Sequence, residues 1–64
     1  MRLRLSDPSS ARRLAAFLRS VGVDTSEPEP GVLVPAGDVD DSELAIYVRV
    51  WTVLHPGASA ELEP

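Results

Sequence analysis

Residues 41–55 constrain the fold most, because they decide whether the second half of the chain contributes a helix or another strand. The middle of this segment, Ala45–Val53, is rich in β-branched and aromatic residues, which favour strands. Three features favour a helix instead. The segment is long for a strand, acidic residues with capping spacing (Asp40 and Glu43) precede its apolar part, and Pro56-Gly57 stops it. We predict a helix over 41–55 and keep a strand as the alternative.

The first third of the chain predicts a strand and then a helix. Residues 1–5 alternate between apolar residues and arginines, which is the pattern of a half-buried strand. Ser6-Asp7-Pro8 is a helix start, because a Ser or Asp side chain accepts from free amides and Pro suits the first helical position. Apolar residues then recur at helical spacing up to Gly22, which predicts a helix over 8–21.

The remaining segments complete a small sheet. Residues 21–26 are weakly strand-like, 27–31 are a Pro- and Gly-rich turn, 32–34 form a short apolar strand, and 58–62 form a possible last strand. The order β-α-β-β-α-(β) predicts one α+β domain over 1–64, a two-layer sandwich with two helices on one face of the sheet. The residues expected to be largely buried are Leu3, Leu5, Leu14, Phe17, Leu18, Val32, Val34, Leu44, Val48 and Trp51.

Composition excludes several classes of function. The 64 residues contain no cysteine and one histidine, so disulfides, thiolate zinc sites, thiol catalysis and sites needing two imidazoles within one chain are excluded. The apolar runs are too short to span a membrane, and the start of the chain lacks a signal-peptide pattern, so we expect a cytoplasmic protein. The net charge of −4 is uneven: residues 1–19 carry +4 and residues 20–64 carry −8. The acidic total argues against general nucleic-acid binding.

Few residues are candidates for chemistry. The acidic cluster of residues 38–43 lacks the glycine and closing glutamate of a calcium loop, so we interpret it as helix capping. His55 is interpreted as a residue at the helix C-terminus rather than a metal ligand. The weak candidate for an anion site is the first turn of helix 1, with Ser9, Ser10, Arg12 and Arg13. We find no pairing of nucleophile and base, and predict no enzyme activity, metal or cofactor.

The second helix has more apolar surface than a sheet can cover. At about 100° per residue, with Glu43 at 0°, the side between about 20° and 140° holds Leu44, Tyr47, Val48, Trp51 and Leu54. A second stripe lies between about 280° and 340°, so the apolar arc spans roughly 220°. That second stripe consists of Ile46, Val50 and Val53. We interpret it as an interface for a second copy or a larger protein partner. The alternative is that helix 1 covers it within the same chain.

Several segments together show a resemblance to known proteins. They are Leu5-Ser-Asp-Pro8, Leu14-Ala-Ala-Phe-Leu18, the helical positions Leu44, Tyr47 and Trp51, and His55-Pro-Gly57. In this pattern the chain resembles small actinobacterial proteins of unknown function with a compact ferredoxin-like or ACT-like sandwich. The resemblance implies that fold and supports a helix at 41–55, and it implies no catalytic residue.

Three functions follow from these features. The first is a non-enzymatic interaction or regulatory module that acts by self-association or by docking through helix 41–55. The alternative is an ACT-like sensor of a small ligand, an amino acid or a similar anion. A nucleic-acid accessory role for the N-terminal arginines is the third and is disfavoured by the overall charge.

Overall fold

A computed structural model describes residues 1–63 and has the predicted α+β architecture. Its elements are β1 (Arg2–Leu5), α1 (Pro8–Ser20), β2 (Thr25–Glu29), β3 (Val32–Pro35), α2 (Asp41–Leu54) and β4 (Ala60–Glu63). The four strands form one antiparallel sheet in the order β2-β3-β1-β4. Each helix therefore links two strands that are separated by a third, and both helices pack on one face of the sheet. The helix predicted over 41–55 is confirmed, and the strand alternative is wrong.

The ends of α1 explain why this segment is a helix. The Asp7 side chain accepts a hydrogen bond from the Ser9 amide at 3.0 Å, and Pro8 occupies the first turn. At the other end, Val23 donates to the Leu18 carbonyl and Gly22 donates to the Arg19 carbonyl. This paired pattern is a Schellman motif, and it needs the positive φ of 89° that Gly22 adopts. The motif ends the helix and returns Val23 to the core.

The β2–β3 hairpin differs from the prediction in where its first strand lies. The strand is Thr25–Glu29 rather than 21–26, so part of the predicted turn is strand. Pro28 is tolerated because β2 is an edge strand. The turn itself is short and centres on Pro30-Gly31. Gly31 has a φ of 83°, and a Cβ there would lie 3.3 Å from the Leu5 carbonyl oxygen.

The core lies between the sheet and the two helices. Its buried members are Leu3, Leu5, Ala11, Leu14, Leu18, Val23, Leu33, Leu44, Val48 and Trp51. The prediction was wrong for Phe17 and Val34, which are only partly buried. Phe17 lies at the edge of the buried stripe of α1. In β3, Leu33 pairs with Leu3, so Leu33 is the residue that faces the core. Val34 therefore points to the other face, and Val32, which is buried at 2% exposure, lies on that face too, beside Arg4.

Within residues 1–63, neither helix combines the length and the apolar character that crossing a bilayer requires.

Candidate interaction surface

The outer side of α2 carries a continuous apolar surface. We call it the α2 surface and define it by Ile46, Val50, Val53 and Leu54, whose exposed fractions are 61%, 45%, 73% and 62%. The buried side of the same helix, with Leu44, Val48 and Trp51, packs on the core. α1 contacts α2 but does not cover these four side chains, so the outer side of α2 is open. The sequence had left open whether α1 covers this stripe, and it does not.

The α2 surface consists of a ridge and a groove. Ile46, Val50 and Leu54 are four residues apart, so their side chains form one row along the helix. Arg49 and Val53 belong to the neighbouring row, and a shallow depression of about 250 Å³ lies between the rows. Its lining residues are Arg49, Val50, Val53 and Leu54. Arg49 is the one charged residue of that lining, and the other three are aliphatic.

The start of α2 is acidic and is already occupied by its own hydrogen bonds. The Asp40 carboxylate accepts from the Ser42 hydroxyl at 2.9 Å and from the Ser42 amide at 3.0 Å, and these bonds lower the pKa of Asp40. Glu43 does not complete the predicted capping box. It accepts a hydrogen bond from the Tyr47 hydroxyl at 2.8 Å, which raises the pKa of Tyr47. Asp40 thus caps the helix, whereas Glu43 is bound by Tyr47 one turn further along.

The predicted anion site is only partly brought together. Ser10 and Arg13 line a polar depression of about 420 Å³ with Asp7 and His55, whereas Ser9 and Arg12 do not line it. The Ser9 amide donates a hydrogen bond to the Asp7 carboxylate, and hydrogen bonding from Ser9 lowers the pKa of that carboxyl. A carboxylate therefore stands where an anion would meet the helix N-terminus, which opposes binding there. The anion site stays a prediction without added support from this geometry.

The N-terminal arginines are divided between two sides of the domain. On the outer face of the sheet, Glu63 binds Arg2 (Nε to Oε1, 3.2 Å) and Arg4 (Nε to Oε2, 3.0 Å). The hydrogen bond from Arg4 is the main cause of the lowered pKa of Glu63. The remaining three arginines of the basic region are exposed on α1, which packs on the opposite face: Arg12, Arg13 and Arg19. The arginines of β1 thus pair with a glutamate of β4, and the five arginines do not form one surface.

His55 lies where the sequence predicted it, at the C-terminal cap of α2. Its backbone amide donates to the Trp51 carbonyl at 3.0 Å, and its ring lies 4.8 Å from the Trp51 ring, centroid to centroid, at a tilt of 33°. The indole Nε1 of Trp51 is buried and has no hydrogen-bond partner among the described residues. In residues 1–63, no three acidic, histidine or cysteine side chains are grouped closely enough to hold a metal ion.

Sequence reasoning missed one residue of the α2 surface. Leu54 had been grouped with the core-facing side of the helix, but it is 62% exposed. The signal that identifies it is its spacing, since it continues the row of Ile46 and Val50 by one more turn. The comparison with protein-family models, curated proteins and solved structures finds no match to this chain.

Proposed function

We propose that this protein is a non-enzymatic interaction module that binds a protein surface, a second copy or a larger partner, through the α2 surface. The observation that carries the proposal is the exposure of four large aliphatic side chains in one continuous patch on a helix of 14 residues. A contiguous exposed apolar patch on a small domain is typical of an association site. Scattered apolar residues would not require this explanation.

The position of the patch supports the proposal. It lies on the side of α2 opposite the core, so a domain built from these elements cannot bury it by tighter packing of its own helices. Burying a fully exposed Val, Leu or Ile contributes about 1.5–3 kcal/mol. Applied to the exposed fractions of the four residues, that value gives about 4–7 kcal/mol from this chain alone. This contribution is of the same order as the about 4–15 kcal/mol that association costs, so the apolar surface of the partner must supply the remainder.

The experiment compares Val50→Glu with Ala16→Glu. Both positions are exposed and helical, but Ala16 lies on α1, away from the α2 surface. We expect both variants to keep the circular dichroism spectrum of the wild type, because neither new carboxylate is buried in the folded chain. Val50→Glu should abolish association, measured by sedimentation velocity and by retention of host proteins on immobilised protein, because it would bury an unpaired charge. Ala16→Glu should leave association intact.

Two results would count against the proposal. One is that Val50→Glu associates as strongly as the wild type, which would remove the α2 surface from any interface. The other is that the wild type neither self-associates nor retains any protein that Val50→Glu fails to retain.

A further inference from the structure

We infer that the polar depression between the two helices is a binding site for a small zwitterion, a molecule of the size of a free amino acid with one carboxylate and one ammonium group. This site goes beyond the proposed function, because it concerns a small ligand and not a protein surface. The inference is drawn from the position of the depression, from one buried hydroxyl and from two opposite charges.

The polar depression lies where the first turn of α1 meets the last turn of α2. Asp7, Ser10 and Arg13 border it on the α1 side, and residues 54–58 border it from the end of α2 and the loop that follows. Its volume of about 420 Å³ lies within the range of about 300–1,000 Å³ that is typical of small-molecule sites. The depression is therefore formed by two elements together and is not the end of a single helix.

Ser10 supplies a buried polar group without a partner. This residue is only 9% exposed and lines the depression, and its hydroxyl makes no hydrogen bond within residues 1–63. By contrast, the hydroxyls of Ser20, Ser42 and Thr52 each bond to a group of their own helix or its cap. Buried polar groups are nearly always hydrogen-bonded, so the Ser10 hydroxyl indicates a polar partner inside the depression.

Two opposite charges border the depression without contacting each other. The Arg13 guanidinium forms no ion pair within residues 1–63. Its field still reaches Asp7, because the pKa of Asp7 is lowered first by hydrogen bonds from Ser9 and then by the charge of Arg13. Asp7 accepts the Ser9 amide through Oδ1, and a carboxylate has about four lone-pair sites, so Asp7 retains acceptor capacity for a ligand.

A zwitterion matches this pair of charges better than a simple ion does. A simple anion would meet Asp7 and a simple cation would meet Arg13, and like charges oppose binding in each case. A ligand carboxylate suits Arg13, whose planar fork donates two parallel hydrogen bonds, and a ligand ammonium suits Asp7. The C-terminal end of α2 also favours the ammonium group, since its last turn carries no basic residue. The apolar part of the lining favours a small aliphatic side chain on the ligand, and it consists of Leu54, Pro56 and Ala58.

Trp51 provides an intrinsic signal for binding. It is the one tryptophan of the chain, and its ring lies 4.8 Å from the ring of His55, which lines the depression. We expect L-valine, the probe, to change the fluorescence of Trp51 and the NMR amide shifts of Ser10 and Arg13 in a saturable way. N-acetylvaline lacks the ammonium charge and valinamide lacks the carboxylate, so each should bind more weakly by about tenfold or more.

Matched variants locate the site. Arg13→Gln and Asp7→Asn should each weaken L-valine binding by about tenfold or more, because each removes one charge of the depression. Asn remains a good capping residue for α1. Arg12→Gln is the control, since Arg12 is exposed on the same helix but does not line the depression, and it should bind L-valine like the wild type. All three variants should keep the circular dichroism spectrum of the wild type.

Three results would overturn the inference. One is the absence of a saturable response to L-valine in both the fluorescence and the NMR titration. Another is that N-acetylvaline or valinamide binds as tightly as L-valine, which would exclude a zwitterion as the ligand. The third is that Arg12→Gln weakens binding as much as Arg13→Gln, which would place the ligand outside the depression.

Discussion

Leu14 lies at the centre of the described core and allows the packing to be tested quantitatively. Its exposure is 0%, and it belongs to the cluster formed by both helices and the sheet. Replacing a buried Leu by Ala costs about 3–5 kcal/mol, because transfer free energy is lost and a cavity remains. A single core in a chain shorter than about 70–80 residues rarely supplies more than about 3–5 kcal/mol. We therefore expect Leu14→Ala to be largely unfolded at 25 °C.

Leu54→Ala provides the matched control, because it removes the same atoms from a side chain that is 62% exposed. Its free energy of unfolding should change by about 0.5 kcal/mol or less at a dilution where the chain is monomeric. Phe17→Ala should fall between the two, because Phe17 is only partly buried. The assay is urea unfolding followed by circular dichroism at equal concentrations. A folded Leu14→Ala with a midpoint close to that of Leu54→Ala would refute the described core.

Three further predictions concern the hairpin, acid stability and salt. Gly31→Ala should lower the free energy of unfolding by about 1–3 kcal/mol in thermal melts, because a positive φ is strained for Ala; Gly22→Ala should cost less, since its added Cβ meets nothing within 4 Å. The pKa values of Asp7, Asp40 and Glu63 are lowered by folding, so their stabilisation is present above their unfolded pKa values of about 4 and is lost as pH falls through the folded ones. The melting temperature should therefore decrease as the pH is lowered beyond about 4–5. A melting temperature that stays constant down to about pH 2 would contradict this. Added salt should strengthen self-association, because each copy carries a net charge of −4 that salt screens; weaker association would indicate that charge pairs hold the interface.

The features predicted correctly from the sequence are those set by local chemistry. Asp7-Pro8 and Gly22 define the two ends of α1, because a cap side chain and a positive φ act within a single turn. The pattern of Leu3 and Leu5 likewise defines the buried face of β1. In these places the helix or strand follows from residues a few positions apart, and the order of elements follows from counting them.

The features that were predicted wrongly depend on contacts between distant segments. The inward orientation of Leu33 rather than Val34 is set by pairing with Leu3, about 30 residues away, and three successive apolar residues carry no parity of their own. The end of β2 was obscured by Pro28, which a central strand would exclude but an edge strand accepts.

The exposure of the α2 surface could not be decided from the sequence for the same reason. An apolar arc that extends around most of a helix is compatible with burial by α1 or by another chain, and only the placement of α1 separates the two. The outer position of Ile46, Val50 and Val53 was thus predicted as a stripe, and its exposure is a result of the structure.

Sedimentation equilibrium of the wild type and of Val50→Glu tests the central claim most directly. We expect the wild type to approach twice 6.9 kDa as its concentration rises, and Val50→Glu to remain at 6.9 kDa with an unchanged circular dichroism spectrum. A wild type that stays at 6.9 kDa at millimolar concentration and retains no protein that Val50→Glu fails to retain, or a Val50→Glu variant that dimerises equally well, would contradict association through the α2 surface.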